Sequence, residues 1–289
     1  MVRPMLLAIG DLHEGILIQL PTDPVRGADT TVRSARLRAG SAANVAAIDA
    51  EMGGTPRFLG QVGDDGIGRM LADDLRSRGV ETMIRHVGGT GVVVTMIGPG
   101  GRSRLLDRGA SPKLSLIDSS VLDGVAQVYL PASVFVEDPL ASAVDRLMAE
   151  IRDLRIPVVI GGPGSAELEQ LGEAHFLELV AAAQPDVVVL NRGEHAAIGI
   201  APRTGIDGAR CTVITAGARP TVVIEGSRPV ESVAVPPVDA IRDRTGVGDG
   251  FLAGFMASRR TGADAVAASH AGHRVAAKVL MRLGPSTTG

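Results

Sequence analysis

The stretch that decides the reading is Asp243-Arg244-Thr245-Gly246-Val247-Gly248-Asp249-Gly250-Phe251. Apolar residues follow at helical spacing (Phe251, Leu252, Phe255 and Met256), so the segment reads as a glycine-rich turn opening a helix. The first N–H groups of a helix have no intrahelical partner, and the helix dipole adds partial positive charge, so an anion is favoured there. Gly246 and Gly248 let the backbone approach a phosphate closely. Asp249 then stands beside that phosphate as a carboxylate able to take a proton from an attacking hydroxyl; its other reading is a plain helix cap. A lone G-x-G does not decide between the two.

Outward from this turn, short β-branched runs bounded by Gly, Pro or Asp recur at Met5–Ile9, Arg57–Leu59, Gln127–Leu130, Pro157–Ile160, Asp186–Leu190, Thr212–Thr215 and Thr221–Ile224. Between them lie helical spacings, such as Ile67, Met70, Leu71 and Leu75 stopped by Gly79, and Leu140, Val144, Leu147 and Ile151. This alternation predicts an α/β fold with a parallel sheet covered by helices on both faces, and ligands beyond the carboxyl ends of the strands. Two turn-rich stretches, about 12–38 and 88–106, break the pattern and are expected to pair as a small β lid. The 289 residues are read as one domain.

A net charge of −3 offers no basic field, which excludes a phosphate-backbone reader, so no nucleic-acid partner is expected. The single cysteine, Cys211, lies in an apolar run and packs rather than reacts; no disulfide can form within the chain. The first ten residues hold too short an apolar run for a signal or membrane segment, so a cytoplasmic protein with no membrane partner is expected.

The opening turn resembles the D-T-T-G-A-G-D signature of the ribokinase-like, PfkB-type carbohydrate kinases. Other segments agree in order. Ala39-Gly40-Ser41-Ala42-Ala43-Asn44-Val45-Ala46 is similar to that family's G-G-x-x-x-N-x-A, and Gly60–Gly68 is similar to its G-x-V-G-D-D-x-x-G turn. Asn191 and Glu194 match N-x-x-E, and Thr215-Ala216-Gly217 matches T-x-G. The resemblance implies a three-layer α/β/α fold, a nucleotide-binding half over about 186–284, and ATP-dependent phosphorylation of a sugar hydroxyl. It makes Asp249 the base and the backbone of Gly246, Val247 and Gly248 the anion hole. On the ATP side it implies Asn191, Glu194, Thr215, Gly217 and His273, with Glu194 organising water around Mg2+; His273 reads equally as a helix-face residue without a catalytic task. Asp243 and Thr245 either offer oxygens to a monovalent cation such as K+ or fix the turn. The substrate side would comprise Asp11, Gly40, Ser41, Asn44 and Arg104. A homodimer through the lid is compatible with the family pattern.

The resemblance thins on the substrate side. The usual acidic residue five positions after Gly10 is Gly15, leaving Asp11 or Glu14 to stand in. G-A-N becomes Gly109-Ala110-Ser111, and the strand-end D-x-N becomes Gly161-Gly162-Pro163. Neither lid stretch holds an aromatic residue on which a base could stack, whereas Arg26, Arg33, Arg36, Arg38, Arg102 and Arg104 all lie there. A sugar or sugar acid is therefore the expected substrate. A nucleoside kinase of the same fold, and a non-catalytic ligand-binding relative, are the competing readings.

Overall fold

Along the first strand, β1 (Met5–Ile9), Leu6 and Ala8 enter one apolar cluster while Leu7 and Ile9 enter another. A strand buried on both faces needs helices on both faces. The computed structural model, which describes residues 4–288, supplies them. β1 is followed by β2 (His13–Gln19), β3 (Arg33–Ala39), α1 (Ser41–Glu51), β4 (Pro56–Val62), α2 (Gly66–Ser77), β5 (Glu81–His86), β6 (Thr90–Gly98) and β7 (Gly101–Gly109). Then come β8 (Val125–Pro131), α3 (Leu140–Asp153), β9 (Val158–Gly161), α4 (Ser165–Leu171), α5 (Glu173–Ala183), β10 (Val187–Asn191) and α6 (Arg192–Ala197). The chain closes with β11 (Cys211–Ala216), β12 (Arg219–Glu225), β13 (Glu231–Val233), α7 (Val247–Arg260) and α8 (Ala265–Leu280).

The main sheet has nine strands in the order β13-β12-β11-β10-β9-β8-β1-β4-β5. Every pair from β5 to β11 is parallel. The run expected at Thr221–Ile224 returns antiparallel as β12, because Gly217, at φ +65°, turns the chain straight back, and so tight a turn joins only antiparallel strands. One face is covered by α1, α2, α7 and α8, the other by α3 and α5, which is the expected three-layer α/β/α arrangement. α1 is buried at every position from Ala42 to Asp49, since α7 covers it on the side away from the sheet. Four small alanines permit that close approach, and Arg260 of α7 pairs with the buried Asp49.

The stretches about 12–38 and 88–106 supply a separate four-stranded sheet, β3-β2-β6-β7, whose central pair is parallel and whose outer pairs are antiparallel. Its strands run on to Ala39 and Gly109, and Leu12 belongs to the core. Among the described residues no helix is long and apolar enough to cross a membrane.

Candidate active site

Strand order reverses at β1: β4 and β5 lie to one side, β8 to β11 to the other. Such a reversal leaves a crevice beyond the carboxyl ends of the strands. Asp11, Pro131, Gly161, Asn191 and Thr215, each at or just beyond a strand's carboxyl end, line that crevice together with Gly248 and Asp249.

The turn before α7 is built for an open helix end. Gly246 is left-handed at φ +76°, and a Cβ there would lie 2.3 Å from the Pro285 Cβ, so glycine is needed twice over. Asp243 frames the turn: one oxygen accepts from the Thr245 N–H and Oγ1 at 3.0 Å each, the other from the Gly284 N–H at 2.9 Å. These bonds account for Asp243 and Thr245 as the frame of the turn. No side chain caps α7, which leaves the N–H groups of Val247, Gly248 and Asp249 without intrahelical partners. A Cβ added at Gly248 would meet nothing within 4 Å, so this glycine keeps space open in the crevice itself.

Asp249 is held from α1. Its Oδ1 accepts from Ser41 Oγ at 2.6 Å and its Oδ2 from Asn44 Nδ2 at 2.8 Å, the two donors standing three residues apart on one helix face. Ser41 spends its only proton on Asp249, so the buried Tyr129 hydroxyl, 2.8 Å away, must donate to Ser41. α1 can start here because Gly40, at φ +105°, lets the chain pass the Asp11 carbonyl oxygen, which a Cβ would approach to 2.1 Å. Burial pushes the Asp249 carboxyl above the ordinary range, against the hydrogen bonds from Ser41 and Asn44 and the charges of Arg104 and Arg38. An aspartate raised towards neutrality is a stronger base when ionised.

At the opposite end of the crevice Asp11 pairs with Arg108 at 2.8 Å, and Arg108 also reaches Glu137 at 3.3 Å. Alternation along β2 settles which acid faces inward. Glu14 lies outside the crevice and pairs with Arg36, whereas His13 lines it. His13 is 1% exposed, neither ring nitrogen makes a close hydrogen bond, with Nε2 3.9 Å from Asp11 Oδ1, and burial lowers its pKa, keeping the ring neutral. Arg104 lines the same space with no carboxylate paired to it among the described residues.

Residues 16–288 match the pfkB family carbohydrate kinases. The chain belongs to that family. It is 27% identical over 241 residues to the probable fructokinase-7 of Arabidopsis thaliana, covering 76% of this chain and 69% of that protein. The adenosine kinase of Sinorhizobium meliloti superposes with a TM-score of 0.82 at 20% identity, covering 98% and 95% of the two chains. A putative ribokinase II of E. coli, solved in complex with ATP and Mg2+, superposes with a TM-score of 0.82 at 18% identity, covering 98% and 94%.

In this pfkB-family chain the residues expected on the nucleotide side separate. Asn191 caps α6 by accepting from the N–H groups of Gly193 (2.8 Å) and Glu194 (3.0 Å), while Glu194 reaches back to the Asn191 N–H at 2.7 Å. Both still line the crevice, as does Thr215. Burial, with the neighbouring Glu167, raises Glu194 to about 7. Gly217 is exposed in the β11–β12 turn and does not line the crevice. His273 does not either: it is buried on α8 with its ring centroid 5.0 Å from that of Phe251, because α7 and α8 pack directly on each other. Of the six arginines, Arg102 and Arg104 line the space under the small sheet, and Arg38 lines it while buried. Arg26, Arg33 and Arg36 are exposed.

His13, Arg108, Tyr129 and Glu167 went unrecognised in the sequence. Period-two spacing from Arg104 marks Arg108 as sharing its strand face, and the same period sets His13 with Gly15 and Leu17. Nothing in the sequence marks Tyr129 or Glu167.

Proposed function

We propose that the chain transfers the γ-phosphoryl group of ATP to a hydroxyl of a sugar or sugar acid, with Asp249 as general base. The observation that carries this reading is the juxtaposition of Asp249 with the uncapped N-terminus of α7 in one crevice. The ATP and Mg2+ of the E. coli ribokinase II complex support the same pair here. The residues fit them: the free N–H groups suit phosphate oxygens, and Glu194, raised to about 7, suits a hydrated cation whose charge favours the carboxylate. ATP supplies the phosphoryl group, and Mg2+ neutralises charge as that group leaves. The chain's own part is positional. Ser41 and Asn44 occupy one lone pair on each Asp249 oxygen, leaving others to accept the acceptor's hydroxyl proton as its oxygen bonds phosphorus. The N–H groups of Val247, Gly248 and Asp249 receive the charge that builds on the phosphoryl oxygens.

The substrate class follows from what surrounds the acceptor end. Phe58, Phe176 and Phe255 are buried in the core, Phe135 is half-buried away from the crevice, and among the Phe and Tyr side chains of the described residues only Tyr129 and Phe251, 1% and 3% exposed, line it. No open aromatic face awaits a base. Asp11 is already neutralised by Arg108, while Arg102 and Arg104 form no salt bridge among the described residues, Arg104 acting on Asp249 as a nearby cation, and His13 keeps a neutral imidazole. That set suits hydroxyls together with a carboxylate. In steady-state kinetics, kcat/KM is expected to be higher for an aldonic-type acid or a neutral sugar than for adenosine, inosine, cytidine or pseudouridine. A nucleoside that outperforms every sugar overturns the substrate class and leaves the kinase reading standing.

The small sheet acts in this proposal as a lid and, on its other face, as the homodimer contact. Leu17, Val93, Thr95 and Arg104 line the crevice side. By alternation and register Ile16, Ile18, Val92, Val94, Met96 and Leu105 share the outer face, with Leu105 58% exposed. Hydrogen exchange reads both roles. Protection of 13–39 and 90–109 is expected to rise with a substrate and a nonhydrolysable ATP analogue, and separately with protein concentration. Indifference to ligand removes the lid, and indifference to concentration removes the dimer.

A further inference from the structure

Arg38 is one of two buried arginines on the small sheet's strands; Arg108 pairs with Asp11, whereas Arg38 points towards α1. It sits near the end of β3, two residues before the Gly40 turn, and its side chain is 5% exposed. Its three nitrogens reach two helices and the C-terminal segment. NH1 donates to Asp74 Oδ2 of α2 at 2.6 Å, NH2 to the Pro285 carbonyl at 2.9 Å, and Nε to Asn44 Oδ1 at 3.2 Å. The Asn44 amide nitrogen in turn donates to Asp249.

We propose that Arg38 is a positioning residue for phosphoryl transfer: by fixing which end of the Asn44 amide faces Asp249, it sets the catalytic carboxylate in its working orientation. The reasoning is one of donors and acceptors. A guanidinium N–H can only donate, so the atom of Asn44 that faces it must be the oxygen, and the amide nitrogen is thereby directed at Asp249. Without Arg38 the amide oxygen loses the donor that pins it, and only the hold of Asp249 on the amide nitrogen is left to fix the orientation of the pair. Asp74 and the Pro285 carbonyl clamp the guanidinium to parts of the molecule outside the small sheet, so its Nε stays aimed at Asn44 when the rest of β3 shifts. The charge acts in the same direction as the geometry. Asp249 faces Ser41 and Asn44 from α1, Arg38 from β3, Arg104 from β7 and, through Ser41, Tyr129 from β8; Arg38 and Arg104 are the cations that favour its ionised form.

This inference rests on Asp249 being the base, and the test separates the two. Arg38→Ala, Asn44→Ala, the double variant and Asp249→Asn are compared with the native protein for kcat, ATP KM and the pH dependence of kcat. Arg38→Ala is expected to lower kcat about ten- to a hundredfold, as a small misplacement of a reacting group does, with ATP KM little changed. The double variant is expected to be no slower than Asn44→Ala, because Arg38 acts through that amide. Asp249 must be ionised to work, and losing a neighbouring cation raises its pKa, so the acidic limb of the Arg38→Ala profile moves to higher pH. If Arg38→Ala does not fold, Arg38→Lys, which keeps a cation against Asp74 but has no Nε donor, replaces it in the same cycle. Additive losses with either variant, or an acidic limb that stays in place in Arg38→Ala, overturn the role of Arg38. Retained turnover in Asp249→Asn overturns the base assignment, and this inference with it.

Discussion

Replacing Asp249 with asparagine or alanine is expected to lower kcat by at least about a hundredfold, the lower end for a positioned general base, while ATP affinity stays nearly unchanged. Asparagine fills the same space but has a single acceptor oxygen, so it keeps only one of the hydrogen bonds from Ser41 and Asn44, and it cannot take the acceptor's proton. The free N–H groups of α7 remain, so the phosphate side keeps its donors. Single-turnover measurement of phosphorylated product, alongside nucleotide titration, checks both halves. A variant that keeps half its turnover sinks the base assignment. A ligand-binding relative without turnover would show no acceptor-dependent ADP release to lose.

Gly248→Val is expected to reduce turnover to below about 1% of native, the scale on which lost anion-hole donors act. The fold should survive, since a Cβ at Gly248 meets no protein atom within 4 Å. What the branched side chain would meet is the transferring phosphoryl group. Gly246→Ala is the contrasting case: its Cβ would collide with Pro285 and the backbone would be held at an unfavourable φ, so stability should fall as well. Melting temperature and turnover measured on both variants distinguish a blocked site from a damaged turn. Native turnover with native melting behaviour in Gly248→Val would place the anion hole elsewhere.

Local patterns in the chain made the main sheet and the helix-opening turn before α7 legible. The runs at Met5–Ile9, Asp186–Leu190 and Thr212–Thr215 are apolar on both faces, and only a strand between two helical layers tolerates that. The direction of β12 was not legible, because Thr221–Ile224 looks alike in either orientation and the decision rests on a positive φ at Gly217. His273 shows the converse limit: a polar residue at helical spacing reads the same whether it faces a nucleotide or the ring of Phe251.

By itself the sequence determined the α/β alternation, the helix-opening turn at Gly246–Asp249, and the candidates Ser41, Asn44, Asn191 and Glu194, because each is written in residues close along the chain. Only the tertiary structure decided that Asp11 rather than Glu14 faces the crevice, that His13 and Arg108 stand beside it, and that Arg38 and Tyr129 reach Asp249 through Asn44 and Ser41. These are contacts between residues as many as 208 positions apart in the chain. A hydrogen bond of 2.6 to 3.2 Å depends on where two elements pack, and no local periodicity encodes that.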